Sequence, residues 1–438
     1  MAVGANSTSL DAAFKQYYED GYDDLTYKDR PFFALVPKEE GWVGADQAAR
    51  GWHIPMKYAY PPAVSTTFSV AQAKAATTSS KIQAWELTSK QLYGFIQIDN
   101  ESLMRSKGNE GAFVELKSLE VNGIIENVSN RLHHYCYGDG TGVIAQVGNS
   151  TQMPSFATSV CTLLNSEDTV KIAFGDELTV AATATGAERA FGTNNHGWLV
   201  IGTSYDAGTF TVGTLAGAPV NLNDAADGIP TAAASDFIAH RGDRAGTSVN
   251  GVISGFQQYI PPFGTTITNT TLYNVDRSQN ADWLAGSRID GSSTGIEEAL
   301  LRGANVVAKK GGRLEQYFLD HKHYSDLVSA LSAKGIVNFL DITMNDEPSI
   351  GFKGVKIIGA NGDIDVIPDY ACPSSMAAGT KISDWVFGSV GEPVAVLNSD
   401  GLEFLRLGTA DGLEGRFGSY SNLVPKSPRD NCNVLLPL

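Results

Sequence analysis

Apolar and polar residues alternate along two segments near the start of the chain, which is the pattern of a half-buried strand. In GWHIPMKYAYPP the apolar residues occupy every second position: Trp52, Ile54, Met56 and Tyr58. Pro55 predicts an edge strand, because proline cannot donate to a β-ladder. In YGFIQID (93–99), aromatic residues occupy one face and isoleucines the other. A lone two-stranded ribbon is marginal in water, so we expect this pair to lie on another surface.

The segment between the two strands, 63–81, is AVSTTFSVAQAKAATTSSK. Thirteen of its nineteen residues are Ala, Ser or Thr, and none is acidic. It has too little apolar surface for a core, and its β-tolerant residues argue against a disordered tail. We therefore predict that it forms the tip of an extended two-stranded excursion.

Upstream, RPFFALVPKEE places an apolar cluster between Pro31 and Pro37. The prolines disfavour a helix, so this segment is predicted to dock on the protein's own core without helical structure.

Helical periodicity runs from residue 110 to residue 137, roughly 42 Å at 1.5 Å per residue. The apolar face consists of Val114, Val121, Ile124, Val128, Leu132 and Tyr135. The glycines of GDGTG (138–142) are expected to end this helix.

Between 156 and 242 the pattern changes to short β-like runs separated by Gly, Asn and Asp. GWLVIGTSYDAGTFTV predicts a hairpin, and the region as a whole predicts a small inserted β domain.

After residue 290 the pattern is α/β. Thr294 to Glu297 forms a potential capping box, RLEQYFLD predicts a strand, and HKHYSDLVSALSAKG predicts a helix. The Asn361-Gly362 pair is a strong hairpin signal, and a second signal lies at Asp400-Gly401.

The amino-acid composition limits the classes of function that the chain can have. The formal charge of −16 argues against tight general nucleic-acid binding, which needs Lys and Arg to replace counterions. Only 18% of the residues are charged, against about 25% in an ordinary domain, which fits a protein that covers its surface with partners. The N-terminus lacks a secretory signal, and no apolar run approaches the roughly 18 residues of a membrane span. We expect no membrane association and a cytoplasmic origin.

The cysteines are widely spaced, without a CxxC pair: Cys136, Cys161, Cys372 and Cys432. This spacing predicts neither a zinc site nor a disulfide framework. The most ligand-like cluster is Asp320-His321-Lys322-His323, but Asp320 is also a natural N-cap for the helix that follows. His133, His134 and Cys136 lack a second pair of ligands. GDGTG lacks the phosphate-loop pattern, and neither G-x-S-x-G nor H-E-x-x-H occurs. We expect no catalytic residue, no metal and no cofactor.

The order of these parts resembles the major capsid proteins of tailed bacteriophages, whose fold also occurs in encapsulin shells and the herpesvirus capsid floor. The resemblance covers nearly the whole chain except 156–242. It is carried by RPFFALVPKEEGWVGADQ with IPMKYAYPP, by YGFIQIDNESLMRS leading into GAFVELKSLEVNGIIENVSNRLHHYCYGDGTG, by GVKIIGANGDIDVIPDYACP and by LEGRFGSYSNLVPKSPRDNCNVLLPL.

The resemblance implies an α+β tailed-phage major capsid fold with a defined set of parts. These are an N-terminal arm (1–50), an extended β loop (51–99), a peripheral domain (100–155) with a spine helix (110–137), an inserted small β domain (156–242), a peripheral return (243–310) and an axial α/β domain with closing strands (311–438).

By the same resemblance, the chain self-assembles into pentamers and hexamers of an icosahedral shell around the double-stranded DNA of a tailed phage, without enzymatic activity. It implies a virion component assembled in the host bacterial cytoplasm. The implied partners are a separate scaffolding protein (unless the chain is already processed), a portal and a decoration or cement protein.

The extended loop would reach the next subunit, and its small side chains allow close approach to a neighbouring backbone. The residues implied in this contact are Phe68, Val70, Gln72, Lys74, Lys81 and Trp85. Lys74 and Lys81 could also cross-link covalently, but no partner Asn is identifiable.

Three alternatives remain open. An encapsulin nanocompartment shell shares the fold, and a secreted β-rich adhesin would require a signal peptide. A metal-dependent hydrolase would use Asp320, His321 and His323.

Overall fold

The computed structural model describes residues 29–40, 52–101, 104, 116–152, 158–189, 197–214, 219–222, 232–244, 251–267, 271–333, 339–341, 353–397, 401–402, 404–408 and 411–437. Helices and strands both contribute substantially, which confirms the predicted α+β class. The chain divides into two compact units. The smaller unit contains 93–128 and 396–417, and the larger contains 29–92, 129–395 and 418–438.

The α-helices of the described residues range from one turn to six. They are α1 (Pro31–Leu35), α2 (Phe68–Thr77), α3 (Leu116–Tyr137), α4 (Phe256–Tyr259), α5 (Ala281–Leu284), α6 (Ile296–Lys309) and α7 (His321–Ala333).

The strands of the same residues are mostly short. They are β1 (Lys38–Glu40), β2 (Trp52–Ala59), β3 (Lys81–Leu87), β4 (Lys90–Asp99), β5 (Val143–Gln146), β6 (Val160–Thr162), β7 (Glu177–Ala181), β8 (Trp198–Ser204), β9 (Thr209–Gly213), β10 (Phe237–His240), β11 (Thr271–Leu272), β12 (Val275–Asp276), β13 (Ser287–Asp290), β14 (Gln316–Leu319), β15 (Phe339–Asp341), β16 (Lys353–Gly359), β17 (Gly362–Pro368), β18 (Met376–Thr380), β19 (Trp385–Ser389), β20 (Ala395–Val396), β21 (Phe404–Arg406), β22 (Gly412–Pro425) and β23 (Cys432–Leu435).

Of two predictions about helices, one is wrong and the other can be checked over only part of its range. Helix α1 forms where the two prolines disfavoured one, because Pro31 occupies the first helical turn, where a missing N–H costs nothing. The predicted spine helix is present as α3 from Leu116 onward, while 110–115 lie outside the described residues. It ends at Tyr137, directly before GDGTG, as predicted.

The larger unit contains a seven-stranded mixed sheet in the order β13-β23-β18-β14-β17-β16-β15. Helices α6 and α7 pack against it around a core that includes Leu300, Val307, Leu327, Val366 and Val434. The predicted strand β14, helix α7 and hairpin β16/β17 are confirmed. In the hairpin, Gly362 pairs with Gly359, so the two-residue turn is Ala360-Asn361, one position earlier than predicted.

The predicted capping box is wrong. Gly295 is the N-cap of α6 and receives no side-chain cap. The Thr294 hydroxyl instead donates to the Gly291 carbonyl oxygen at 3.3 Å.

A second sheet of the larger unit has the order β5-β10-β7-β8-β9-β6, with antiparallel pairing throughout. The predicted insertion at 156–242 supplies every strand except β5. Strands β8 and β9 form the predicted hairpin, whose turn contains Gly208 at a φ of 62°.

The third sheet of the larger unit joins the N-terminal segment to the end of the chain. Strand β1 pairs in parallel with β19, and β19 pairs antiparallel with residues 421–425 of β22.

The smaller unit contains most of β4, the first half of α3, β21 and the start of β22. Its core is Ile96, Ile98 and Phe417, with Ile124 and Phe404 packed against it. Strand β21 pairs with β22. The expected hairpin turn at Asp400-Gly401 lies partly outside the described residues.

Candidate assembly surface

The ribbon formed by β2 and β3 extends as an antiparallel pair from Trp52↔Leu87 to Ala59↔Lys81. The alternation in β2 follows the sequence prediction, because Ile54, Met56 and Tyr58 are buried while the residues between them are exposed. The predicted partner is wrong, because β2 pairs with β3 and not with the segment 93–99, which lies in β4. One face of the ribbon therefore belongs to the protein's own core.

The base of the ribbon is fixed by aromatic packing. The side chain of Trp85 is fully buried and meets the Tyr259 ring edge-on, with centroids 5.3 Å apart. The Tyr259 hydroxyl donates to the Leu423 carbonyl oxygen at 2.8 Å, and burial raises the pKa of this phenol well above its usual range. The ring also lies edge-on to Trp385. These contacts tie β3 to the end of the chain.

Hydrogen bonds add a second set of anchors. The Tyr58 hydroxyl donates to Gln279 Oε1 at 2.5 Å, and Asn280 Nδ2 donates to the Tyr58 carbonyl oxygen at 3.1 Å. On the other strand, the backbone N–H of Glu86 donates to the Tyr273 carbonyl oxygen at 3.0 Å. The Tyr58 bonds thus hold β2 next to the arm, and the Glu86 bond holds β3 at the base.

The connection between β2 and β3, residues 60–80, is the arm. Its predicted extended conformation is wrong, because ten of its residues form helix α2 with the sequence FSVAQAKAAT. No residue of α2 is buried, and the N-cap Thr67 makes no side-chain capping bond. An isolated helix shorter than about 12 residues is marginal in water. Among the described residues, helix α2 therefore lacks the buried side chains that would hold it on its own subunit.

Large apolar side chains lie exposed along the arm and the adjoining strand. Phe68 is 81% exposed and Val64 80%, and three further residues share this property: Tyr60, Val70 and Ile82. Exposed apolar patches on proteins are common at interaction sites. We call Val64, Phe68 and Val70 the arm surface.

Five of the six predicted contact residues are on the solvent side: Phe68, Val70, Gln72, Lys74 and Lys81. The Lys74 ammonium donates to the Val64 carbonyl oxygen at 3.4 Å, within the arm. The expectation for Trp85 changes, because its side chain is fully buried in its own chain and cannot reach another subunit. The prediction did not include Tyr60, Val64 and Ile82, although each is a large apolar residue in a segment without core periodicity.

The N-terminal helix α1 docks into the core of the larger unit. The Phe32 ring is fully buried and lies 5.0 Å from the Tyr137 ring and 5.2 Å from the Phe318 ring. The buried Asp369 carboxylate accepts hydrogen bonds from the Tyr137 hydroxyl at 2.7 Å and from the Phe32 backbone N–H at 3.3 Å.

His133 completes this network, with its Nε2 2.9 Å from Asp369 Oδ1. Burial alone would raise the pKa of the Asp369 carboxyl, but the charge and hydrogen bond of His133 outweigh burial and hold the pKa below its usual range. His133 and Asp369 thus fix α1 and the end of α3.

The ligand-like cluster at the start of α7, residues 320–323, is held by hydrogen bonds within the chain. His323 Nδ1 lies 2.6 Å from Asp320 Oδ1, and its Nε2 lies 3.0 Å from the Pro437 carbonyl oxygen, so both ring nitrogens are engaged. Burial opposes the charged imidazole, but the Asp320 carboxylate outweighs it and raises the pKa of His323. His321 is exposed. Nowhere in the described ranges do three or more His, Cys, Asp or Glu residues converge as metal ligands.

At the end of α3, burial raises the pKa of the Cys136 thiol far above its usual range, which argues against a thiolate nucleophile there. GDGTG forms a turn in which Asp139 Oδ1 accepts from the Thr141 backbone N–H at 3.0 Å. A Cβ on Gly142 would lie 2.3 Å from the Asp243 carbonyl oxygen, so glycine is required there for packing. In the part of the chain that the structure describes, no helix is long and apolar enough to cross a membrane.

No family model and no curated protein matches the sequence. Among solved structures, a chain of the cyanophage A-1(L) capsid asymmetric unit matches over 99% of both chains, at a TM-score of 0.53 and 9% identity. A chain of the native GTA particle capsid matches over 100% of both chains, at a TM-score of 0.46 and 6% identity.

The SrpI encapsulin of Synechococcus elongatus PCC 7942 matches over 99% of this chain and 96% of that chain, at a TM-score of 0.45 and 6% identity. Because the GTA and encapsulin scores lie below 0.5, the fold assignment rests on the cyanophage capsid chain. As the sequence resemblance predicted, the chain has the fold of the tailed-phage major capsid proteins.

Proposed function

We propose that this chain is a structural shell protein of a tailed phage, which self-assembles into pentamers and hexamers around double-stranded DNA. The observation that carries the proposal is helix α2, which has no buried residue and presents Phe68 and Val70 to solvent. Such a helix becomes stable when another surface covers it. In a closed assembly that surface is the neighbouring subunit.

Multivalency explains how modest contacts of this kind suffice. Burying apolar area contributes about 25 cal/mol per Å², so a single arm supplies only a few kcal/mol. Each arm placed on a neighbour raises the effective concentration of the next contact, and closed symmetry repeats the same contact around the ring. The fixed base of the ribbon reduces the entropy lost on docking, because only the arm needs to be ordered.

The proposal includes the remaining expectations from the sequence. The shell of acidic subunits encloses DNA without binding it tightly. The chain acts in the virion after assembly in the host cytoplasm, and it performs no catalysis. A separate scaffolding protein, a portal and a decoration or cement protein are its proposed partners. The N-terminal arm, extended loop, peripheral domain, inserted β domain and axial domain keep the proposed boundaries given above.

Deleting residues 65–79 tests the proposal. The chain and the deletion variant are each expressed with the neighbouring genes and compared by negative-stain electron microscopy and light scattering. We expect closed shells from the intact chain, and folded but unassembled protein from the variant, whose fold is checked by circular dichroism. Shells formed by the variant at normal yield would contradict the proposed role of the arm. A stable monomer from the intact chain under every condition would contradict the shell function itself.

A further inference from the structure

A cleft on the larger unit has a charge opposite to that of the rest of the chain. It has a volume of about 330 Å³ and lies beside the start of the arm. Its basic and aromatic lining residues are Lys57, Tyr58, Tyr60, Trp283, Lys426 and Arg429, and no acidic residue lines it. In a chain with 48 acidic and 32 basic residues, this concentration of cations needs an explanation. We call it the basic cleft.

Cations and rings alternate across the basic cleft. The Lys57 ammonium lies 5.3 Å from the centre of the Tyr60 ring, and the Arg429 guanidinium lies 5.3 Å from the centre of the Trp283 ring. The two rings meet edge-on with centroids 5.8 Å apart. Tyr60 is 66% exposed, so this row of groups faces solvent. Rings held in this way can stack on another aromatic side chain, while the flanking cations attract carboxylates.

The cations are only partly neutralised within the chain. The Lys426 ammonium lies 3.2 Å from Glu39 Oε1 at an exposed edge, and Arg429 Nε lies 3.6 Å from Asp430 Oδ1, beyond hydrogen-bond distance. Among the residues the structure describes, no carboxylate lies within ion-pair distance of Lys57. An anionic partner would therefore find unsatisfied positive charge.

We propose that the basic cleft binds the acidic, tyrosine-rich segment QYYEDGYDD, residues 16–24, of a second copy of this chain. The segment carries four carboxylates and three tyrosines in nine residues and contains no basic residue. Its composition complements both features of the cleft. The cleft is near the lower end of the range of about 300–1,000 Å³ for ligand sites, which suits one tyrosyl side chain with its neighbouring carboxylates.

A peptide segment fits this chemistry better than a nucleic-acid strand. Nucleic-acid binding needs a track of cations along successive phosphates, and the net charge of −16 repels a polyanion from the rest of the surface. A short segment brings its charges to one point. The inference deepens the proposed assembly, because it adds a second contact between copies, beside the start of the arm.

The test uses the full-length chain and a fluorescein-labelled QYYEDGYDD peptide, with binding followed by fluorescence anisotropy. We expect saturable binding at low salt that weakens in 0.5 M NaCl, since screening shortens the reach of the charges to a few ångströms. The neutral peptide QYYQNGYNN should bind at least about tenfold more weakly.

Lys57→Glu should weaken binding of the acidic peptide by about tenfold, and Lys322→Glu is the matched control. Lys322 is an exposed lysine on α7 outside the cleft and should leave the affinity unchanged within about twofold. Equal affinity of wild-type and Lys57→Glu chains, or no saturable binding, would overturn the inference. Displacement of the peptide by an oligothymidylate of equal charge would also overturn it, in favour of nucleic acid.

Zero-length carbodiimide cross-linking gives a second measurement that does not depend on a variant folding. Mass spectrometry should find amide bonds from Lys57 or Lys426 to carboxylates of the peptide, and none from Lys322. Cross-links spread over surface lysines without preference would count against the cleft. If shells form but the peptide does not bind, only this inference fails. If the peptide binds but no shell ever forms, the proposed function fails and the cleft remains.

Discussion

The two ends of one β-ribbon have opposite relations to the protein's own core. At the base, Trp85 is fully buried against Tyr259, and the Glu86 backbone N–H donates to the Tyr273 carbonyl oxygen. At the tip, no residue of α2 is buried, although Phe68 and Val70 are apolar. The base contributes to the stability of the subunit, and in the proposed assembly the tip supplies the surface for a partner. This division predicts that changes at the two ends have separable effects.

The largest effect on folding is expected at the base. Trp85→Ala should lower the free energy of unfolding by about 3–5 kcal/mol, because removing a buried aromatic side chain leaves a cavity beside Tyr259. Denaturant titration of the unassembled chain measures it. Phe68→Ala is the matched aromatic control at the tip and should change stability by less than about 0.5 kcal/mol. Equal losses at the two positions would remove the distinction between base and tip.

Lowering the pH should reduce the stability of the core before it affects the contribution of the arm to assembly. The pKa of Asp369 is lower in the folded chain than its ordinary value, so the carboxylate contributes stability above that ordinary value. This contribution is lost as the pH falls through the lowered pKa. Asp369→Asn should lower the free energy of unfolding by about 3 kcal/mol at pH 7, because the buried His133 then lacks a charged partner. The variant should also lose less stability than the wild type as the pH falls.

Stability curves from pH 7 to pH 3 check this prediction, with Asp326→Asn on the exposed side of α7 as control. Segment 63–81 contains no carboxylate, so its own contribution to assembly should not titrate over this range. An Asp369→Asn chain with the acid profile of the wild type would show that this network does not set the pH dependence.

The largest effect on assembly is expected at the tip. Replacing Phe68 and Val70 together by Ser should raise the concentration required for assembly at least about tenfold, since an aromatic anchor contributes about 2 kcal/mol and 1.4 kcal/mol is a factor of ten. Light scattering against protein concentration gives this threshold. The control pair Ser69→Thr with Thr77→Ser changes exposed polar positions of the same helix and should leave it nearly unchanged. An unaltered threshold for the apolar pair would show that the arm surface is not an interface.

The smallest effect concerns the helical form of the arm. Ala75→Gly should weaken α2 by about 1 kcal/mol without touching any apolar side chain. If the arm docks as a helix, the assembly threshold should rise about fivefold, whereas docking in an extended form would leave it unchanged. Comparing this variant with Ala63→Gly, outside the helix, separates the two possibilities.

The sequence predicted most of the elements whose signals are local. Alternation identified β2 and β4, turn residues identified the hairpins β8/β9 and β16/β17, and periodicity identified α7. The fold resemblance followed from the order of these elements. In each case the local preference and the tertiary environment favour the same structure.

The predictions differ from the structure where one residue type favours two conformations. The arm was predicted to be extended because Ala, Ser and Thr are small and tolerated in strands, yet alanine is also the strongest helix former, and AQAKAA carries α2. Pro31 was treated as a helix breaker although proline is favoured in a first turn. The burial of Trp85 depends on Tyr259, 174 positions away in the chain, and no local pattern predicts that contact.

A cryo-electron microscopy structure of the assembled particle tests the central claim most directly, because it locates α2 relative to neighbouring chains. We expect five- and six-fold units in which the arm surface of each subunit is covered by another subunit, with Phe68 buried in the contact. A closed shell in which α2 projects into solvent, with Phe68 exposed as in the single chain, would contradict it.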